Sequence, residues 1–248
     1  MSDAGTQRAA APVSNGDTQR VAALSRVRAA VFDMDGLLLD SERIAARAWS
    51  EAARRLGVAF DAGLALTLIG RNADDSRRIL RASLPRDYPL DALFAACRVA
   101  WDEIATREGV PVKPGVHALL DWIELRRWPR AVATSTRRDR AHAALARAEL
   151  VARFDILVGG DEVARGKPEP DIYREAARRL GVAAEECVAF EDSEPGVRAA
   201  VAAGMQVFMV PDLAPAPRAV AALPVAIVAS LDAARVRLEA VHGYNPPP

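Results

Sequence analysis

From residue 29 onward, short apolar runs alternate with longer stretches in which apolar residues recur at helical spacing. In one such stretch, Ile172, Ala176 and Leu180 share one face of a helix predicted over residues 171–180, which Gly181 would end. A second helix is predicted over residues 195–203. The apolar runs predict strands at residues 29–33, 131–134, 156–158, 187–190, 207–210 and 226–228. Strands that alternate with helices are typical of βαβ units, so the pattern predicts an α/β fold with a doubly wound parallel sheet.

Residues 41–111 interrupt this alternation, because they carry helical periodicity and no convincing strand. Two long helical stretches each present an apolar stripe, formed by Ile44, Ala48, Ala52 and Leu56 in the first and by Leu93, Cys97 and Ile104 in the second. Residues 110–115, Val-Pro-Val-Lys-Pro-Gly, cannot continue a helix and predict a hinge. We therefore expect a helical cap domain at 41–111, inserted into a core made of residues 29–40 and 112–242.

The two ends of the chain lack these patterns. Residues 1–28 mix Ala, Ser, Gly, Gln and Arg without the apolar stretch of a secretory signal, and they predict a flexible leader. Their basic composition is weakly typical of a transit peptide, but Asp3 and Asp17 argue against one. Residues 243–248 end in Pro-Pro-Pro and predict a flexible tail.

Composition argues against some classes of binding partner. The 33 basic and 33 acidic residues cancel, so no overall field favours nucleic acid or an anionic membrane. No apolar run approaches the ~20 residues that span a bilayer. The two cysteines, Cys97 and Cys187, predict buried free thiols rather than a disulfide framework, which fits a reducing cytoplasm.

Asp33 and Asp35 form the sharpest chemical motif. Asp33 ends an apolar strand, Asp35 follows two residues later, and Gly36 permits a tight turn that keeps both carboxylates at the strand's carboxyl end. One carboxylate can attack phosphorus while its neighbour protonates the departing oxygen. An ordinary Asp-Gly turn with two solvated acids is the alternative, and this motif alone leaves it open.

Glu191 and Asp192 come at the end of another predicted strand. Hard oxygen ligands of this kind suit Mg²⁺, which commonly bridges a carboxylate and a substrate phosphate. The same residues also suit a helix N-terminus before Pro195, with Asp192 or Ser193 as the cap. Metal binding and capping are compatible, and both remain open at this stage.

Thr134, Ser135 and Lys167 are candidate phosphate ligands. Thr134 ends a predicted strand, so its hydroxyl and the amides after it can hold phosphate oxygens at a helix N-terminus. Lys167 lies between Gly166 and Pro168 in a stiff loop, where an ammonium can neutralise both the nucleophile and the transferring phosphoryl group. A simple helix cap and a solvated surface lysine are the alternatives.

Read together, the four segments strongly resemble the haloacid dehalogenase superfamily, most closely its β-phosphoglucomutase-like phosphatases with a helical cap after the first motif. The segments are Asp-Met-Asp-Gly-Leu-Leu-Leu-Asp-Ser-Glu, Ala-Thr-Ser-Thr, Gly-Lys-Pro-Glu-Pro-Asp-Ile-Tyr and Phe-Glu-Asp-Ser-Glu-Pro-Gly-Val. The resemblance covers residues 29 to 230 and implies a Rossmann-like core.

The resemblance also implies residue roles. Asp33 would form the aspartyl-phosphate and Asp35 would be the acid and base. Thr134 and Lys167 would bind phosphate, and the Mg²⁺ pocket would comprise Asp33, Glu191, Asp192 and the main-chain carbonyl of Asp35.

Three residues refine the activity that the resemblance implies. Asp35 argues against a dehalogenase, since a leaving halide needs no proton. Ala45 and Ala73 stand where hexose-phosphate mutases resemble one another in carrying a histidine and a substrate arginine, which favours a phosphatase. Substrate choice would lie in the cap, where Arg71 is the best candidate contact.

The sequence thus predicts a cytoplasmic Mg²⁺-dependent phosphatase of a small phosphorylated metabolite, a sugar or polyol phosphate, that is a monomer or weak homodimer. The alternatives are a sugar phosphomutase of the same fold and a non-catalytic phosphometabolite-binding protein.

Overall fold

The computed structural model describes residues 22–68, 73–213 and 215–243. Within them a six-stranded parallel sheet has the order β3-β2-β1-β4-β5-β6. Its strands are β1 (Ala29–Phe32), β2 (Arg130–Ala133), β3 (Ile156–Val158), β4 (Cys187–Glu191), β5 (Gln206–Met209) and β6 (Val225–Ile227). The predicted doubly wound parallel sheet is confirmed, and every strand lies within one residue of its predicted bounds.

Nine α-helices lie wholly within the same described ranges. They are α1 (Ser41–Leu56), α2 (Ala62–Leu66), α3 (Ala73–Ser83), α4 (Leu90–Glu108), α5 (Val116–Leu125), α6 (Arg138–Arg147), α7 (Asp171–Leu180), α8 (Glu194–Ala203) and α9 (Leu231–His242). The first four form the helical insert, residues 41–108, between β1 and β2. None of the described helices is both long enough and apolar enough to cross a membrane.

The sheet is covered on both faces, because successive side chains of a strand point to opposite sides. In β1, Ala30 and Phe32 join the apolar cluster that includes α5, α6 and α9. Ala29 and Val31 join a second cluster that includes α7 and α8. All four residues of β1 are buried, so this strand is the centre of the core. Its carboxyl end, where Asp33 follows, is therefore held rigidly.

The helical insert has an apolar cluster of its own. Trp49, Leu80, Leu90 and Leu93 are buried together, and the Trp49 ring meets the Phe94 ring at a centroid distance of 5.0 Å. The predicted stripe of α1 is buried at Ile44, Ala48 and Ala52 but ends early, since Leu56 is 37% exposed just before the left-handed Gly57. The insert thus packs as a unit of helices, as its periodicity predicts.

Two adjacent linkers join the helical insert to the core. The amide of Asp40 donates to the carbonyl of Pro111 at 2.8 Å, and the amide of Lys113 donates to the carbonyl of Leu38 at 2.9 Å. The Lys113 ammonium also forms an ion pair with Asp212 in the loop after β5, whose side chain is buried. Both linkers therefore lie at the carboxyl edge of the sheet. The predicted hinge at residues 110–115 contains the second linker and stays a prediction.

The predicted leader is wrong for its last residues. Leu24 and Val27 are 7% and 3% exposed and belong to the apolar cluster of α9. The carbonyl of Leu24 lies 2.9 Å from the ring Nε2 of His242, and Arg28 forms an ion pair with Glu186. These apolar and polar contacts together hold residues 22–28 against the core. Residues 1–21 and 244–248 lie outside the described residues.

Candidate active site

The strand order gathers the predicted site residues at one edge of the sheet. β1 lies between β2 and β4, so Asp33, Thr134 and Glu191 stand at the ends of three neighbouring strands. Strand order reverses between β1 and β4, and open α/β sheets bind ligands at such a switch point. A cavity of about 830 Å³ opens here, lined on the core side by Asp33, Asp35, Thr134, Ser135, Lys167 and Asp192. Arg71, the predicted substrate contact, lies outside the described residues.

Gly36 shapes the loop after β1. Its φ is +82°, a conformation that strongly favours glycine. A Cβ at this position would also collide with the carboxylate of Asp192. The Gly36 amide donates to the Leu39 carbonyl at 2.9 Å, which closes the turn. The predicted tight turn is therefore present, and it brings the first and fourth motifs into contact.

Lys167 joins the nucleophile candidate to the acidic motif. Its Nζ lies 2.5 Å from Asp33 Oδ1 and 2.6 Å from Glu191 Oε1, and its side chain is only 5% exposed. Burial opposes the ammonium charge, but Asp33 and Glu191 outweigh it and raise the pKa of Lys167 above its ordinary value. Lys167 therefore remains a cation next to Asp33 and is not the solvated surface lysine of the alternative interpretation.

Glu191 accepts hydrogen bonds from five protein donors. Its Oε1 accepts from the Lys167 ammonium and from the Tyr173 hydroxyl, each at 2.6 Å. Its Oε2 accepts from the amides of Asp192 and Ser193 at 3.1 Å and from the Ser193 hydroxyl at 3.0 Å. A carboxylate offers about four lone-pair positions, so these donors use the acceptor capacity of Glu191. Its predicted role as a metal ligand stays a prediction, and the geometry favours Asp33 and Asp192 as the more available carboxylates.

Ser193 combines the two interpretations of the fourth motif. Its hydroxyl accepts from the amide of Gly196 at 3.2 Å and caps α8. A Cβ on Gly196 would overlap the Glu191 carboxylate. The helix therefore starts directly against this acidic group, and the motif serves both as a cap and as a wall of the site.

Asp35 is held by hydroxyl groups from both parts of the molecule. Its Oδ1 accepts from the Ser41 hydroxyl, at the start of the helical insert, at 2.7 Å. Its Oδ2 accepts from Thr136 Oγ1 at 2.8 Å and from Thr134 Oγ1 at 3.4 Å, both in the loop after β2. The orientation of this carboxyl group therefore depends on the insert as well as on the core.

Negative charge is crowded at the site. Burial raises the pKa of Asp33 to about 8 despite Lys167, and the charges of Glu191 and Asp35 add to the increase. Burial likewise raises the pKa of Asp192 well above its ordinary value, with Asp33 and Glu191 as the next causes. Carboxylate oxygens of Asp33, Glu191 and Asp192 lie within 4.8 Å of one another. One ammonium does not balance these acids, so the donor set fits a divalent cation bound by oxygen ligands.

The helical insert forms the opposite wall of the cavity. Glu42, Ala45, Trp49, Phe94 and Trp101 line it from α1 and α4. Phe94 packs on Trp49, and the guanidinium of Arg140 in the core lies 5.8 Å from the Trp101 ring centroid. The cavity thus has a charged floor from the core, whereas the wall from the insert combines aromatic and apolar side chains with charged ones.

Three contacting residues escaped the sequence analysis as site candidates: Ser41, Thr136 and Tyr173. Thr136 lies within the quoted second motif and Tyr173 ends the third, so position in the motif was the only available signal. Ser41 lies within the first motif and opens α1. Their hydroxyls donate to Asp35 or Glu191 only because the fold directs them there, and the spacing of residues in the sequence does not predict that direction.

The comparison with known proteins decides the family. Residues 27–204 match the family model for haloacid dehalogenase-like hydrolases. The chain belongs to this family. The predicted family is thereby confirmed, and the site residues of the four motifs stay predictions.

Several named relatives of this hydrolase are phosphatases. The chain is 33% identical to the phosphorylated carbohydrates phosphatase of Thermotoga maritima, over 73% of this chain and 83% of that protein. It is 37% identical to hexitol phosphatase A of Escherichia coli, over 78% of this chain and 87% of that protein. The structure of CbbY from Rhodobacter sphaeroides in complex with phosphate is 28% identical, with a TM-score of 0.71, and covers 83% of this chain and 95% of that chain. The predicted phosphoric monoester hydrolase is confirmed.

Proposed function

We propose that this hydrolase is a Mg²⁺-dependent phosphatase of a small sugar or polyol phosphate and works through an aspartyl-phosphate at Asp33. The observation that carries the proposal is the placement of Asp33, Lys167 and Asp35 on one cavity floor. A buried carboxylate paired with an ammonium lies beside a second carboxylate that hydroxyl groups orient. These groups supply a nucleophile, a phosphoryl ligand and an acid in the same small volume.

Asp33 is the nucleophile of the first step. Its carboxylate attacks phosphorus in line with the leaving oxygen, and the phosphorus–oxygen bond of the ester breaks as the acyl phosphate forms. The Lys167 ammonium, 2.5 Å from Asp33 Oδ1, favours the ionised carboxylate that this attack requires. The same cation faces the cavity and neutralises charge on the phosphoryl oxygens.

Asp35 moves the protons. As an acid it gives a proton to the leaving alcohol oxygen, and as a carboxylate it then takes a proton from the water that hydrolyses the aspartyl-phosphate. Hydroxyl donors on both of its oxygens fix its orientation. The products are the alcohol and inorganic phosphate, and Asp33 is regenerated.

Asp33 and Asp192 would hold the metal through their carboxylates, together with the main-chain carbonyl of Asp35 that the family resemblance implies. Glu191 would support this pair from behind, since its oxygens are occupied by protein donors. A bound Mg²⁺ supplies positive charge that balances the acids and the phosphate and orients them for in-line transfer.

Sugar and polyol phosphates are supported as substrates by the relatives' names and by the size of the cavity, about 830 Å³. Ala45 lines this cavity, so the wall has no imidazole where the mutases resemble one another in carrying a histidine. Hydrolysis is favoured over intramolecular phosphoryl transfer for this reason.

The test is phosphate release from a panel of sugar and polyol phosphates, with Asp33→Asn protein as the blank. We expect release of inorganic phosphate from a small subset of the panel without isomerised sugar phosphate. EDTA should abolish release, Mg²⁺ should restore it, and Ca²⁺ should restore it poorly, because its looser coordination spoils in-line geometry. Isomerisation without phosphate release would make the protein a mutase, and saturable binding without turnover would make it a binding protein.

A further inference from the structure

We propose that Tyr173 is a positioning residue for Lys167: its hydroxyl holds Glu191 so that the ammonium stays shared between Glu191 and Asp33. The inference rests on the proposed function, in which Lys167 favours the ionised nucleophile and binds the phosphoryl group. Tyr173 itself touches neither the cavity nor the reacting atoms, since it is not among the residues that line the cavity.

Tyr173 lies beneath the site on α7. It is 0% exposed, and its hydroxyl donates to Glu191 Oε1 at 2.6 Å. The centre of its ring lies 5.2 Å from Lys167 Nζ, within the range of a cation–π contact. One side chain therefore contacts both partners of the buried ion pair from below.

The bonds of the ammonium explain why the hydroxyl matters. Lys167 has three N–H donors, and two are given to Asp33 Oδ1 and Glu191 Oε1. The third is left for a phosphoryl oxygen in the cavity. On the other side, Glu191 Oε1 accepts from both Lys167 and Tyr173, so the two donors share its charge.

Loss of the hydroxyl would leave Lys167 as the remaining donor to Glu191 Oε1. The ammonium would then be drawn toward Glu191, and its bonds to Asp33 and to the phosphoryl group would weaken. A buried acceptor that loses a neutral donor attracts its charged donor more strongly, because no water replaces the lost bond.

Tyr173→Phe tests this role with little change in shape. The ring, which packs in the apolar cluster of α7 and α8, is retained, and only the hydroxyl is removed. The matched control is Tyr88→Phe, which removes a hydroxyl that donates to the Ala59 carbonyl at 2.9 Å in the helical insert. Both variants of the full chain are assayed with Mg²⁺ and p-nitrophenyl phosphate.

We expect Tyr173→Phe to lower kcat/KM about ten-fold, with Tyr88→Phe within about two-fold of wild type, as the loss of one hydrogen bond to a charged group implies. Inorganic phosphate should also bind more weakly. Its inhibition constant should rise, and the increase in melting temperature that phosphate gives the folded protein should shrink. Wild-type activity in the same assay tests the proposed function separately.

A cycle with Lys167→Ala separates positioning from a structural role. If Tyr173 acts through Lys167, adding Tyr173→Phe to Lys167→Ala should change kcat/KM by less than about two-fold, since the coupled effect is already lost. Equal losses in both backgrounds would overturn the proposal, as would an unchanged kcat/KM in Tyr173→Phe. If Lys167→Ala does not fold, the phosphate-dependent melting shift of Tyr173→Phe decides, and a wild-type shift overturns the proposal.

Discussion

In the core site the charged side chains are buried, whereas in the helical insert they form exposed ion pairs at the surface. Lys167, Asp33 and Glu191 have side chains that are 5%, 9% and 0% exposed. Arg47 and Glu108, which join the two ends of the insert, are 52% and 39% exposed. The apolar cluster of the insert faces inward, and its aromatic side chains reach the cavity.

This difference in burial suggests different roles for the core and the insert. Charges in a buried site act strongly because little water screens them, and they act on a phosphoryl group that every substrate shares. Exposed pairs contribute little. The insert forms the cavity wall opposite the core residues, so it can contact the remainder of the substrate. Chemistry should therefore depend mainly on the core for all esters, with Ser41 of the insert helping to orient Asp35, and selectivity should depend on the insert.

The largest expected effect is the loss of the nucleophile. Asp33→Asn should lower phosphate release by more than about a thousand-fold for every ester, because an amide cannot attack phosphorus at a useful rate. The variant should fold, since the amide is isosteric and removes one of the crowded buried charges. Phosphate release and circular dichroism measure the two outcomes. Retention of several per cent of the wild-type rate would place the nucleophile elsewhere.

Asp35→Asn should divide substrates by their leaving group. An alkoxide needs a proton to depart, so release from a sugar phosphate should fall about a hundred-fold or more. The p-nitrophenolate anion leaves readily, and its first step should survive better. Hydrolysis of the aspartyl-phosphate would then become slow, because the same carboxylate should activate water.

The expected signature in stopped-flow absorbance is a burst of about one p-nitrophenol per active site before a slow steady state. Ser41→Ala serves as the control, because it removes one hydroxyl donor to Asp35 and keeps the acid. Equal losses on both substrates without a burst would mean that Asp35 acts through the metal site or the fold.

The junction between the regions should show how burial sets the energy of an ion pair. Lys113, in the second linker between insert and core, pairs with Asp212, and these side chains are 19% and 4% exposed. Lys113→Met should destabilise the protein by about 2–3 kcal/mol, because it leaves a buried carboxylate without its cation. In the described residues, Asp212 Oδ2 already lacks a hydrogen-bond partner. Urea unfolding of Lys113→Met and Arg47→Met measures the contrast, and equal midpoints would show that burial is not the deciding factor.

How far sequence reasoning reached differs between the backbone and the side chains. The strands were predictable because their apolar runs are short and bounded, and α7 was predicted at its observed bounds. The residues that follow strand ends were also predictable, since parallel strands bring their carboxyl ends to one edge. The placement of the hydroxyl groups was not predictable, because the contacts of Tyr173 and Thr136 depend on how helices and loops pack. The sequence also did not predict that protein donors fill the hydrogen-bonding positions of the Glu191 carboxylate. The reason is the same, since its five donors come from residues up to 24 positions away.

The smallest expected effect concerns substrate selectivity, and it tests whether the insert contacts the part of the substrate beyond the phosphoryl group. Arg71 follows Gly70 in the sequence between α2 and α3, and we predict that its guanidinium contacts the substrate body. Arg71→Ala should then lower kcat/KM about ten-fold for the physiological ester, as loss of one charged hydrogen bond implies, and leave p-nitrophenyl phosphate nearly unchanged. Arg86→Ala, at an exposed position after α3, is the matched control and should affect neither substrate. Equal losses on both substrates in Arg71→Ala would place the residue in phosphate binding or folding, and selectivity would then have to come from the aromatic wall of α1 and α4.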